Sequence, residues 1–194
     1  VLRTALRQDP DILMVGEMRD QETVEIGLRG ALTGHMVLST LHTNDAITSA
    51  IRLIDMGAAG FLVGSSLRAI IAQRLVRRLC TKCATEYEVE SQDMLWLQHL
   101  AGNRAEQVKF KRGLGCQSCH YTGYKGRIGV FELLEMNEDM MSALKRDDAE
   151  SFTRLAKEHP GFKPLALSAF DYASEGITSV EEVLRLVETV DVTG

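Results

Sequence analysis

Four cysteines in two C-x2-C pairs, Cys80-x2-Cys83 and Cys116-x2-Cys119, constrain the fold of this chain more than any other feature. Each pair presents two thiolates at the bite of a tetrahedral metal, and two such pairs are the signature of an S4 zinc site. To form one, residues 80–83 and 116–119 must meet, so the stretch between them folds back as a small subdomain. Disulfides are the rival reading, but they need an oxidising compartment and no signal peptide points to one. Cys116-Gln-Ser-Cys119-His120 also matches C-x-x-C-H, the covalent haem-attachment pattern, yet that reading leaves Cys80 and Cys83 without a purpose. A closed S4 site has no open coordination position, so it supplies folding energy and not catalysis.

The candidate chemistry lies nearer the amino terminus. Ile12 to Val15 is a short apolar run, preceded by Pro10 and closed by Gly16 and Glu17. An unbroken run of this length suits a strand buried on both faces, as in a parallel sheet. Gly16 would let the backbone turn closely at the strand end. Met36 to Leu41 reads as a second strand, followed by His42, and a helix-length segment, Glu22 to Leu32, separates the two. A strand–helix–strand unit puts both strand ends on one edge, where open α/β sheets bind ligands. Glu17 and His42 are then expected to face one ligand.

LRQDPDILMVGEMRD and TGHMVLSTLHTNDA resemble the Walker B and histidine boxes of the type II secretion and type IV pilus assembly ATPase family. The resemblance continues through AQRLVRRLC, the four cysteines, GYKGRIGVFELL and GITSVEEVLRL, and so covers nearly the whole chain. It implies an α/β fold: the second half of a RecA-like P-loop ATPase core, a parallel sheet with helices, over residues 1–79. A tetracysteine zinc-binding module would follow over 80–127, and a mostly helical subdomain over 128–194. By the same resemblance Glu17 and His42 are the catalytic residues, Glu17 organising Mg2+ and water and His42 sensing the γ-phosphate of ATP. Gly16, Arg19, Asp20, Thr40 and Arg74 are the implied neighbours of the nucleotide and Mg2+, with Thr40 a hydrogen-bond donor and Arg19 an ion-pair partner of Asp20. The general base would be an acidic residue upstream. Cys80, Cys83, Cys116 and Cys119 would hold Zn2+. The implied partners are five further copies in a homo-hexamer and an inner-membrane platform protein, at the cytoplasmic face of that membrane. The cysteine module favours the assembly and secretion branch over the retraction ATPases, which typically lack it.

No G-x-x-x-x-G-K-[ST] loop is present, and Val1 reads as mid-helix, so the chain is expected to be a fragment that alone hydrolyses no ATP. No run approaches the ~18 apolar residues of a transmembrane helix. The net charge is −5, but the stretch from Arg74 to Arg127 carries ten Lys and Arg against five Asp and Glu. That allows a zinc-ribbon nucleic-acid-binding module with Arg77, Arg78, Lys82, Lys109, Lys111 and Arg112 on phosphates. The overall acidity and the few flanking aromatics argue against it, and no nucleic acid is expected. A non-catalytic scaffold is the third reading. Arg127 is expected to form an ion pair within its own module.

Along the rest of the chain, residues 1–8 read as a helix end stopped by Asp9-Pro10. Further helices are expected over Thr23–Leu32, Ala46–Met56, Phe61–Gln73, Ser91–Leu100, 137–145, Asp148–Glu158, Leu165–Ser174 and Val180–Glu188. Arg74–Cys80, Val108–Phe110 and Arg127–Leu134 read as strands. His35 reads as structural.

Overall fold

In a computed structural model of the protein, which describes residues 2–8 and 10–191 and the side chains as far as residue 187, Leu2–Ala5 (α1) runs into a 3-10 turn, Leu6–Gln8. Val1 and Asp9, the expected mid-helix start and helix stop, lie outside the described residues. Then come Ile12–Val15 (β1), Gln21–Leu32 (α2), Met36–Ser39 (β2), Ala46–Asp55 (α3), Gly60–Ser66 (α4), Ala69–Leu79 (β3) and Ala84–Glu86 (β4). Ser91–Ala101 (α5), Lys111–Gly113 (β5), Tyr124–Glu135 (β6), Glu138–Lys145 (α6), Ala149–Glu158 (α7), Leu165–Ser174 (α8) and Val180–Asp191 (α9) complete the order.

Packing divides the chain into two compact units, residues 1–71 with 133–162 and residues 72–132 with 163–194. The boundaries therefore do not follow the motif-based limits at 79 and 127.

In the first unit β1 and β2 pair in parallel, Ile12 opposite Met36 and Val15 opposite Ser39. Asp20 starts the intervening α2 by accepting from the Thr23 amide at 2.9 Å, an N-cap that satisfies one of the first-turn N–H groups. Val24 and Leu28 are buried on α2, and Gly27 and Gly30 face Val37 of β2, so α2 lies on one face of the strand pair. The other face carries Ile12, Met14, Met36 and Leu38, all exposed. The expected burial on both faces is thus corrected: two strands and one covering helix bury one face only. α4 packs on α6 through two glycines. A Cβ at Gly60 would sit 2.2 Å from the Leu144 carbonyl oxygen, and one at Gly64 2.5 Å from that of Met141. A side chain at either would push the helices apart.

β3 pairs with β6, both lying mostly in the second unit, and within that unit β4 pairs with β5 antiparallel, Ala84 opposite Gly113 and Glu86 opposite Lys111. Val76, Leu97, Phe110, Val130, Phe170 and Val183 form its core, with Phe110 edge-on to Phe170 at 5.9 Å. Helices α5, α8 and α9 supply much of that core.

Two expected elements differ. The Phe61–Gln73 helix ends at Ser66, where Leu67 is extended and β3 begins at Ala69. The adjacent β-branched pair Ile70-Ile71 favours a strand, and the Ser66 hydroxyl back-bonds the Leu62 carbonyl in the last helical turn. The Val108–Phe110 strand forms three residues later, at Lys111–Gly113, where register with β4 is available. Among the described residues no helix is long and apolar enough to cross a membrane.

Candidate functional site

The parallel register carries past the strand ends. The Met18 amide donates to the Thr40 carbonyl at 3.1 Å, and the Thr40 hydroxyl donates to the Gly16 carbonyl at 2.6 Å. These two bonds clamp the segments that bear Glu17 and His42. The result is contact: His42 Nε2 lies 3.0 Å from Glu17 Oε1, while Arg19 Nη2 lies 2.5 Å from Glu17 Oε2. The hydrogen bond from Arg19 holds the Glu17 carboxyl below its ordinary value; partial burial works against this, and the charges of Arg19 and His42 reinforce it.

The remaining neighbours are distributed as follows. Asp20 does not form the expected ion pair with Arg19; its Oδ1 and Oδ2 accept from the Thr23 amide and hydroxyl, each at 2.9 Å. The Thr23 amide and hydroxyl hold the Asp20 carboxyl low. Thr40 is engaged with Gly16. The backbone bends at Gly16, just past β1, but Gly16 has no positive φ and a Cβ there would meet nothing within 4 Å, so the bend does not itself demand glycine. His35 Nδ1 lies 3.0 Å from the Gly30 carbonyl oxygen and 3.1 Å from the Thr33 hydroxyl, tying off the carboxyl end of α2. Asp45 caps α3 through the Thr48 amide at 2.7 Å. Arg74, half-buried on β3, belongs to the second unit, not to the unit of Glu17 and His42.

In that second unit the four cysteine Sγ atoms lie within 4.8 Å of one another, and none is in a disulfide. Cys80–Cys116, Cys83–Cys119 and Cys116–Cys119 are each 3.8 Å apart. A tetrahedral ion with metal–sulfur bonds of about 2.3 Å sets its thiolates about 3.8 Å apart, so the cluster fits a metal ion. The Cys116 and Gly123 amides donate to Cys119 Sγ at 3.2 and 3.3 Å. Burial raises the Cys119 pKa, but those amides outweigh it and bring the thiol down to about 6. Burial pushes Cys83 up to about 12, the neighbouring thiols adding to it. Cys119 is therefore the thiol poised to ionise, and Cys83 the one whose ionisation a bound metal must drive. Gly113 and Gly123 let the knuckles approach: a Cβ at Gly113 would stand 2.1 Å from the Gly123 carbonyl oxygen, and Gly123 has φ +79°. Both thiols of the C-x-x-C-H stretch turn into the tetrad, which removes the basis of the haem reading.

Sequence reasoning missed a polar cluster in the same unit. The Arg77 guanidinium reaches Glu182 at 2.8 Å and Glu181 at 2.9 Å, lies 4.0 Å over the Tyr124 ring, and its amide donates to Glu182 at 2.7 Å. Burial opposes the charge on Arg77, and Glu182 and Glu181 more than restore it. The acids come from α9, about a hundred residues on, and no local pattern marks such a pairing. Arg77 is thereby withdrawn from the basic surface that a nucleic-acid reading needs. Arg127 is exposed and makes no ion pair among the described residues, contrary to expectation.

The geometry thus places an acid against an imidazole at the joined ends of a parallel strand pair, in a chain that also carries a clustered cysteine tetrad. The chain matches the family model described as Type II/IV secretion system protein over residues 1–185, and it belongs to that family. It is 42% identical to the type IV pilus assembly ATPase TfpB of Acinetobacter baylyi, over 96% of this chain and 32% of that protein. It is 43% identical to type II secretion system protein E of Pseudomonas aeruginosa, over 95% of this chain and 36% of that protein. The chain thus spans about a third of the length of these curated relatives. Among solved structures, the pilus retraction motor PilT with bound ADP is similar at TM-score 0.63 and 26% identity, over 95% of this chain and 42% of that one. The Legionella pneumophila ATPase DotB shares the fold at TM-score 0.65 and 21% identity, over 97% of this chain and 41% of that one. The α/β fold is accordingly similar to that of these ATPases.

Proposed function

We propose that this chain is the part of a secretion or pilus-assembly motor ATPase that carries its Walker B acid, its histidine box and a structural zinc module. The observation that carries the reading is the 3.0 Å contact between Glu17 and His42 at one sheet rim. In this reading residues 1–79 contribute the second half of a RecA-like core. Glu17, ionised, would hold Mg2+ through its water shell, and His42 would donate to the γ-phosphate of ATP. Bound Mg2+ supplies charge neutralisation for the phosphates. Thr40 contributes by fixing the rim through Gly16, not by reaching the phosphate. The general base comes from an acid elsewhere in the polypeptide. Arg74 would lie near the nucleotide through the assembled protein, with Gly16 and Asp20 as backbone and cap neighbours.

The whole protein would act as a homo-hexamer, peripheral to the inner membrane on the cytoplasmic side, and pass ATP-driven motion to a platform protein. The cysteine tetrad would hold Zn2+ and keep its module folded. Residues 1–194 alone would turn over no ATP, because they contain no phosphate-cradling lysine loop. The test is ATP hydrolysis by the full-length protein. Glu17→Gln is expected to lower kcat by about a hundredfold or more with nucleotide binding retained, in the range of a lost electrostatic stabiliser. Turnover equal to wild type would defeat the reading and favour a scaffold.

A further inference from the structure

Both oxygens of the Glu17 carboxylate have a partner, Oε2 in Arg19 and Oε1 in His42. Glu17 and Arg19 are held very differently. The Glu17 side chain is 21% exposed, whereas that of Arg19 is 75% exposed and pairs with no other acid among the described residues. The backbone on either side of Arg19 is pinned, because Met18 is bonded to Thr40 and Asp20 caps α2. Asp20, the nearest alternative acid in sequence, is occupied by Thr23 through both oxygens. The guanidinium can therefore leave Glu17 by side-chain rotation alone, with the carboxylate left in place. A divalent cation approaching Oε2, directly or through a water, meets that guanidinium, and like charges at contact distance exclude each other.

We infer that Arg19 is a positioning residue that acts as an exchangeable counter-ion: it occupies Oε2 of Glu17 while the site is empty and swings away as a divalent cation takes its place. His42 stays on Oε1. A freed guanidinium has a ready acceptor in the phosphate oxygens that accompany the metal, since its planar fork matches them. The inference rests on the reading of Glu17 as the acid that organises the metal.

The experiment titrates Mn2+ into the 194-residue chain without nucleotide and follows the free-ion electron paramagnetic resonance signal. Arg19→Gln is expected to bind Mn2+ about three- to tenfold more tightly than wild type, the range for removing one exposed like charge from beside a divalent ion. Arg19→Lys, which keeps the charge, should stay near wild type. Arg3→Gln, which removes a cation paired with Glu22 in the same unit, should change nothing. Glu17→Gln should abolish the gain in the Arg19→Gln background. Equal or weaker binding by Arg19→Gln, an equal gain in Arg3→Gln, or no Mn2+ bound by any variant overturns the inference. If Glu17→Gln weakens binding while Arg19→Gln leaves it unchanged, only the counter-ion role fails. If Glu17→Gln changes nothing in either background, the assignment of Glu17 to the metal fails with it.

Discussion

The Glu17 rim and the Arg77–cysteine region both join residues that are distant along the chain, but by opposite means. At the rim the backbone does the joining: the β1–β2 register and its two continuing bonds set Glu17 against His42, whose side chain is 88% exposed. In the second unit the side chains do it. Glu182 is 5% exposed and bonded to both Arg77 and Arg185, and the thiols meet one another across two loops. A backbone-built site leaves its side chains free to change partner, as the proposed nucleotide site requires. A side-chain-built site collapses when a partner is removed, because buried polar groups are left unpaired.

The largest effect is expected of Cys83→Ser. Metal binding supplies roughly 10–16 kcal/mol of folding free energy in zinc-finger peptides, so loss of one ligand should unfold the module between Cys80 and Cys119. Hydrogen exchange should then show lost protection at β4 and β5 with β1 and β2 unchanged. Retained protection at Ala84–Glu86 would mean that packing, not the tetrad, holds the module. A chelator should reproduce the effect on the wild-type chain.

Glu182→Ala probes the same contrast at smaller scale. Removing one member of a buried, hydrogen-bonded ion pair costs about 3–5 kcal/mol, less here because Arg77 is a third exposed, so about 2–3 kcal/mol is expected in urea unfolding. By contrast Arg19→Gln at the exposed rim should leave the urea midpoint near that of wild type. Comparable losses at the two positions would remove the distinction.

The smallest effect concerns pH. Burial raises the Asp171 carboxyl, but hydrogen bonds from Lys163 and Arg104 outweigh it and leave the pKa below the usual 3.8. A depressed folded pKa means stability that is present above the unfolded value and lost as pH falls through the folded one. Asp171 is partly solvated, so about 0.5–1 kcal/mol should disappear as pH falls below about 4. Asp171→Asn should flatten that part of the stability curve, measured by thermal unfolding between about pH 5 and 2. An unchanged slope would show that the pair adds nothing.

Much of this molecule is legible in its residues alone. The C-x2-C pairs announce the tetrad because zinc geometry allows few spacings. Asn44 or Asp45, and Asn137, mark helix starts in the sequence, and the structure caps the helices with Asp45 and Asn137, each accepting from the amide three residues on. Where expectation and structure part, longer distances decide. The 61–73 segment has apolar residues that suit either a helix or a strand, and pairing with β6 selects the strand for its second half. Arg19 has acids at Glu17 and Asp20, and only the cap on α2 shows which of them is taken.

Most element types and caps, the cysteine tetrad and the two residues at the rim are therefore written in the chain itself. All of these depend on local periodicity or on motif spacing. Three-dimensional packing alone selects which face of β1 is covered, engages Arg77 with the α9 acids, and lays Arg19 on Glu17. Those outcomes depend on which distant groups compete for one partner, and no window of neighbouring residues contains that competition.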